Sequence, residues 1–129
     1  FLADRVGRDR PGGAVWVHFG ANIGATGGEL SLVCPDDGLR ATMLAGLEQF
    51  GRSPESIAPK TQIPFGETRD IHKTGGIYTT LIGTNPWFHL PSDRWPHTVS
   101  VADIARIGCG VAGAVAALAA GSNCDKSSP

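Results

Sequence analysis

No C-x-x-C pair occurs in the chain, and its three cysteines, Cys34, Cys109 and Cys124, form an odd set. A closed disulfide framework is therefore excluded, and the spacing gives no support to zinc held by cysteines. Positive charge is scarce too: eleven Lys and Arg stand against twelve Asp and Glu, for a formal net charge of −1, with no basic stripe in any segment. A nucleic-acid surface has no support in that pattern. There is no Gly-x-Ser-x-Gly elbow, and Cys34 has no neighbouring base, so nucleophilic catalysis lacks a candidate. Gly20, Gly24 and Gly27 miss the Gly-x-Gly-x-x-Gly spacing of a dinucleotide loop and lead into a strand rather than a helix. The uncharged run from residue 107 to 121 has 15 residues, short of the ~20 that a bilayer core needs. A core helix is expected there, and no membrane span.

What is present describes a globular α/β chain. Hydrophobic residues are 41% and charged residues 18%, too apolar for a disordered segment. The 18 glycines and 9 prolines demand many turns and close backbone approaches. Ala14-Val15-Trp16-Val17-His18-Phe19 reads as a strand buried on both faces. Leu30 to Cys34 is a second strand. Pro35-Asp36-Asp37-Gly38 then starts a helix with Leu39, Met43, Leu47 and Phe50 at helical spacing, closed by Gly51. Residues 52–66 form a long connection with at most a short strand, and Thr68 to Lys73 a short helical turn. Ile77 to Ile82 has the strongest β-propensity of the chain. Ser100, with Asp103 three residues on, caps a closing helix. Cys34 and Cys109 are expected to be buried thiols, and Cys124 lies in a polar tail over 122–129 where an intermolecular bridge is conceivable. The alternation of strands and helices predicts an α/β fold with a largely parallel sheet.

One loop concentrates chemistry: Asn85-Pro86-Trp87-Phe88-His89-Leu90-Pro91-Ser92-Asp93-Arg94-Trp95-Pro96-His97. It follows a strand and precedes a long helix, where α/β sheets present functional loops. Rings and prolines on either side restrain His89, as an imidazole ligand requires. Asp93 fixes the loop or supports that histidine.

The run Thr74-Gly75-Gly76-Ile77-Tyr78-Thr79-Thr80-Leu81-Ile82-Gly83, followed by Phe88-His89-x-x-x-Asp93 and a helix from about Val101, resembles the end of the zinc-dependent aminopeptidase family, whose fold glutaminyl cyclases share. The resemblance spans roughly Ala14 to Ala120 and is loose in the middle. It implies a three-layer α/β/α domain, and His89 matches the last zinc ligand and Asp93 the acidic residue after it. Leu90 and Pro91 depart from the common pattern. Val15-Trp16-Val17-His18-Phe19-Gly20 is similar to the strand that ends in a zinc-binding aspartate, with His18 in its place. Histidine is a competent zinc ligand; the other reading of His18 is a strand-end histidine satisfied by backbone. Glu29, Glu48, Glu55 and Glu67 do not match the family's general base, and His72 is not taken as a ligand.

The resemblance thus implies the C-terminal portion of a zinc metallopeptidase acting on peptides, with zinc at His89 and His18 and no catalytic base of its own. The alternative is a binding or assembly module that keeps the fold without catalysis. Residues 1–129 are read as one incomplete domain, and Phe1 to Val6 as the end of an earlier helix. A strand as apolar as Ala14–Phe19 does not suit a solvated edge. Its expected cover is the N-terminal half of the same domain or identical copies of the chain.

Overall fold

The computed structural model describes residues 14–124; the helix expected at Phe1–Val6 lies outside them. The elements run β1 (Val15–Phe19), β2 (Leu30–Val33), α1 (Asp37–Gln49), β3 (Ser56–Ile57), α2 (Thr68–Lys73), β4 (Ile77–Gly83) and α3 (Val101–Cys124). α3 therefore continues three residues into the segment expected as a tail. Local signals explain the helix starts. The Asp36 carboxylate accepts the Leu39 N–H at 2.7 Å and caps α1, and the Ser100 hydroxyl accepts the Asp103 N–H at 3.2 Å at the start of α3.

The four strands form one sheet in the order β1-β4-β2-β3. β1 and β4 are parallel, with Val15 opposite Ile77 and His18 opposite Thr80. β2 and β3 are parallel, but β2 and β4 are antiparallel, so the sheet is mixed. The connection between β1 and β2 explains this. It spans residues 20–29 with no helix, too short for the crossover that brings a strand back in the same direction. α1, by contrast, supplies such a crossover between β2 and β3.

Successive residues of a pleated strand point to opposite faces, and the core divides accordingly. Leu32 of β2 and Leu81 of β4 pack with Leu39, Met43 and Leu47 of α1 and Ile107, Val111 and Ala114 of α3. Val33 and Tyr78 pack on the other side with Ile71 of α2 and the half-buried Trp16. Cys34 belongs to the first cluster, and burial pushes its thiol above the usual range. Cys109 departs from the expectation: it is exposed, because Ile107, Gly110, Val111 and Ala114 are the α3 residues turned inward.

α3 is also less of a core helix than its composition suggests. Val101–Gly121 is long and apolar enough to cross a membrane by length and composition, and only 22% of its most apolar window is buried. One side packs against α1; Val101, Ile104 and Val115 face away from that core and are exposed. The α1–α3 crossing depends on two glycines. A Cβ on Gly46 would lie 2.5 Å from the Gly110 carbonyl oxygen, and one on Gly110 would lie 2.9 Å from that of Gly46. The chain Cα atoms can approach this closely only without side chains at both positions.

At the far edge, the Glu55 carboxylate ties the start of β2 to the segment before β3. It accepts from the Leu30 N–H and from the Arg52 guanidinium. The Arg52 hydrogen bond holds its carboxyl below the usual glutamate value.

Two predictions follow from these contacts. Gly110→Ala should destabilise the chain by about 1–3 kcal/mol through overpacking, whereas Gly108→Ala, which meets nothing within 4 Å, should gain up to about 1 kcal/mol of helix propensity. Denaturant titration of both variants reads the difference in sign. Because the Glu55 pKa is depressed on folding, its contribution is complete above about pH 4.5 and lost as pH falls through the lower folded value. Glu55→Gln should therefore be less stable than the parent near neutrality and show a flatter loss of stability on acidification.

Candidate functional site

Parallel pairing of β1 and β4 brings their C-terminal ends, and the loops that leave them, to one edge of the sheet. Gly20 N–H donates to the Leu81 carbonyl at 2.7 Å and Gly83 N–H to the Ala21 carbonyl at 2.9 Å. Gly83 has no room for a side chain, since a Cβ there would sit 2.0 Å from the Asn22 carbonyl oxygen. The loop after β1 is joined in turn to the approach to α3: Thr26 N–H donates to the Thr98 carbonyl at 2.9 Å and Ser100 N–H to the Gly24 carbonyl at 2.8 Å.

At this edge lies a cleft of about 460 Å³. Its floor and walls are Val33, Thr80 and Ile82 from the sheet, Phe19 from the end of β1, and Pro64 and Phe65 from the segment before α2. Thr80 is buried and donates its hydroxyl to the Thr68 hydroxyl at 3.0 Å, which fastens α2 to β4. His18 and Glu67 are the titratable groups of the lining. His18 Nε2 is 3.6 Å from Glu67 Oε2; the histidine side chain is 25% exposed and the glutamate side chain 73%. His18 Nδ1 is buried and has no hydrogen-bond partner. With the proton on Nε2 and directed at Glu67, Nδ1 is left as an unpaired acceptor.

The sequence-derived site residues are not brought together as a set. His18 lines the cleft, with its Nδ1 buried and without a hydrogen-bond partner among the described residues. His89 is exposed on the loop leaving β4 and is not among the cleft-lining residues. Its backbone is in the left-handed region at φ 65°, a conformation costly for a side chain with a Cβ, and its ring lies against Phe88 with centroids 3.9 Å apart. Asp93 fixes the loop: its carboxylate accepts from Asn85 Nδ2 at 3.0 Å. The same amide faces Asn22 Oδ1 at 3.4 Å, and Asn85 Oδ1 accepts the Trp87 N–H at 2.9 Å. Asn85 thus braces its own loop and ties it to Asn22 in the loop after β1. His72 is engaged elsewhere, with Nδ1 3.1 Å from the Tyr78 hydroxyl. Glu67 is the residue that motif matching passed over; its place beside His18 comes from the β1–β4 pairing and the packing of α2, which no local pattern encodes.

Zinc can be tested against these donors. A tetrahedral zinc with bonds of about 2.0–2.2 Å holds two ligand atoms roughly 3.4 Å apart, and the His18–Glu67 separation of 3.6 Å is near that. A catalytic zinc takes three protein ligands and a water. Among the described residues no three His, Cys, Asp or Glu side chains converge. The donors present are thus a pair, and they do not make a zinc centre by themselves. No family model matches the chain, and no curated protein or solved structure matches it.

Asn85→Ala should cost about 1–2 kcal/mol, because it removes hydrogen bonds that join two loops and leaves partly buried partners unpaired. Amide exchange should rise across residues 85–97 while β4 stays protected. Unchanged exchange in that loop would show that Asn85 is not its clamp.

Proposed function

We propose that the chain is the C-terminal portion of a zinc-aminopeptidase-like hydrolase and that the cleft is its share of a peptide-binding site. The observation carrying this reading is the meeting of His18 and Glu67 at the C-terminal ends of two parallel strands. That is where α/β sheets place their ligands, and the resemblance to the peptidase family assigns a metal-binding residue to the same strand end. In the complete protein the sheet described here would be one side of a larger, mostly parallel sheet between two helical layers. α1 and α3 would belong to one layer and α2 to the other.

In this reading the role of zinc would be to lower the pKa of a bound water and polarise a peptide carbonyl. His18 and Glu67 would supply donors, with His89 on the adjacent loop and groups from the rest of the domain completing the set. The residues of this chain bind and orient: the apolar walls hold substrate away from water, and Asp93 and Asn85 keep the His89 loop in register. The partner expected at β1 is the N-terminal half of the domain or another copy of the chain. β1 is an edge strand, and Val15 and Phe19 are each 47% exposed. It carries no Lys, Pro or acidic residue of the kind that protects such edges.

The second reading, a binding module without catalysis, is favoured by one feature: the described residues offer a donor pair where catalysis needs three. Zinc titration against a chromophoric chelator separates the two. The peptidase reading expects weak, two-donor zinc binding by the chain, reduced at least about tenfold further by His18→Ala and by Glu67→Gln. Zinc binding indifferent to both substitutions, or none, would leave the binding-module reading in place.

A further inference from the structure

The loop after β4 holds a group of large apolar side chains that the cleft does not use. Trp87 is 43% exposed, Leu90 50% and Trp95 66%, and none of the three lines the cleft. Across residues 86–97 every residue except Asp93 is exposed. This protrusion is braced from within. Asn85 Nδ2 and the Asp93 carboxylate close its base at 3.0 Å, and Asn85 Oδ1 takes the Trp87 N–H at 2.9 Å. Phe88 N–H donates to the Asn85 carbonyl at 3.1 Å and Leu90 N–H to the Trp87 carbonyl at 2.8 Å. Pro86 and Pro91 have no N–H, so over residues 86–91 only His89 keeps one outside this set. Unpaired backbone groups are what an apolar medium penalises most, and a loop with its donors satisfied internally leaves water at small cost.

The charges are sorted as well. Asp93, the one carboxylate of the loop, is turned in to Asn85, while Arg94 beside it is exposed. Glu29 stands at the foot of the loop, where its backbone exchanges hydrogen bonds with Thr84. An indole has an apolar body and a polar N–H, which suits it to the boundary between lipid headgroups and acyl chains. A protein partner would need a pocket shaped to each ring. A bilayer boundary takes them without shape matching, and the exposed guanidinium meets lipid phosphate.

We infer that Trp87, Leu90 and Trp95 anchor the chain on the surface of an anionic bilayer, with Arg94 on the lipid phosphates. The rings enter the outer ~5–10 Å of the leaflet, as in other interfacial contacts, and nothing spans it. Val101 and Ile104, at the exposed start of α3, widen the contact: Ile104 lines one hollow with Asn85 and Asp93 at the foot of the loop. The inference rests neither on zinc nor on the peptidase reading.

The test is co-sedimentation of the full chain with phosphatidylcholine vesicles, with and without phosphatidylserine, together with quenching by lipids brominated near the headgroup. The chain should partition onto both, more tightly onto the anionic ones, with Trp87 and Trp95 quenched. Trp16, packed against Val33, Ile71 and Tyr78, stays unquenched as an internal control. The double variant Trp87→Ser/Trp95→Ser should bind at least about tenfold more weakly to both vesicles. Arg94→Gln should lose about fivefold on the anionic vesicles only. All three residues are exposed, and an unchanged unfolding midpoint controls for folding. No partition at millimolar lipid, unquenched Trp87 and Trp95 in the bound chain, or full partition by the double variant would overturn the inference. A loop that is covered by another polypeptide instead gives the first of these results.

Discussion

The parallel pairing of β1 with β4 is the constraint on which the rest of the site depends. Because the two strands run the same way, His18 stands opposite Thr80 near the exit of both. The loops at 20–29 and 84–99 then leave from the same edge. Thr80, held inside by its hydroxyl contact with Thr68, draws α2 against the sheet and sets Glu67, the residue before that helix, beside His18. An antiparallel β1 would put His18 at the opposite edge, next to the entry of β4. The cleft, its carboxylate and its apolar walls would then not coincide.

β1 is therefore both the strand that positions the cleft and an unprotected edge of the sheet. Its pairing with β4 satisfies one edge of its backbone, and among the described residues nothing pairs with the other. α3 shows the same imbalance on a larger scale: Ile107, Val111 and Ala114 are buried on α1, while Val101, Ile104 and Val115 face away. An exposed apolar helix face of this kind marks contact with further polypeptide, with a membrane or with a ligand.

Local chemistry was legible in the sequence, and the assembly of the site was legible only in part. Asp36 and Ser100 act as caps because a short polar side chain before an apolar-periodic run has one favourable partner, the orphan N–H of the first turn. The Ile77–Ile82 strand, the short Thr68–Lys73 helix and the brief strand inside residues 52–66 likewise follow from propensity and turn residues. The mixed sheet does not follow from alternation alone, although the helix-free connection before β2 carries the signal. Phe50, at helical spacing with Leu47, ends up 40% exposed because the chain turns away at Gly51, whose φ is 68°. Glu67 was invisible as a partner of His18, since their contact depends on two distant segments converging. The rings and prolines around His89 are legible in the sequence, whereas its φ of 65° and its place outside the cleft lining are set by the fold of the loop.

The proposed function makes His18 a metal-binding imidazole, and the four histidines can be compared in one experiment. Ring-nitrogen NMR during a zinc titration reports His18, His72, His89 and His97 separately. Under the proposed function a His18 ring nitrogen shifts on zinc binding while that of His72, engaged by Tyr78, does not. A zinc response confined to the other three histidines, or absent altogether, would contradict the assignment of the cleft as the metal-binding part of the site.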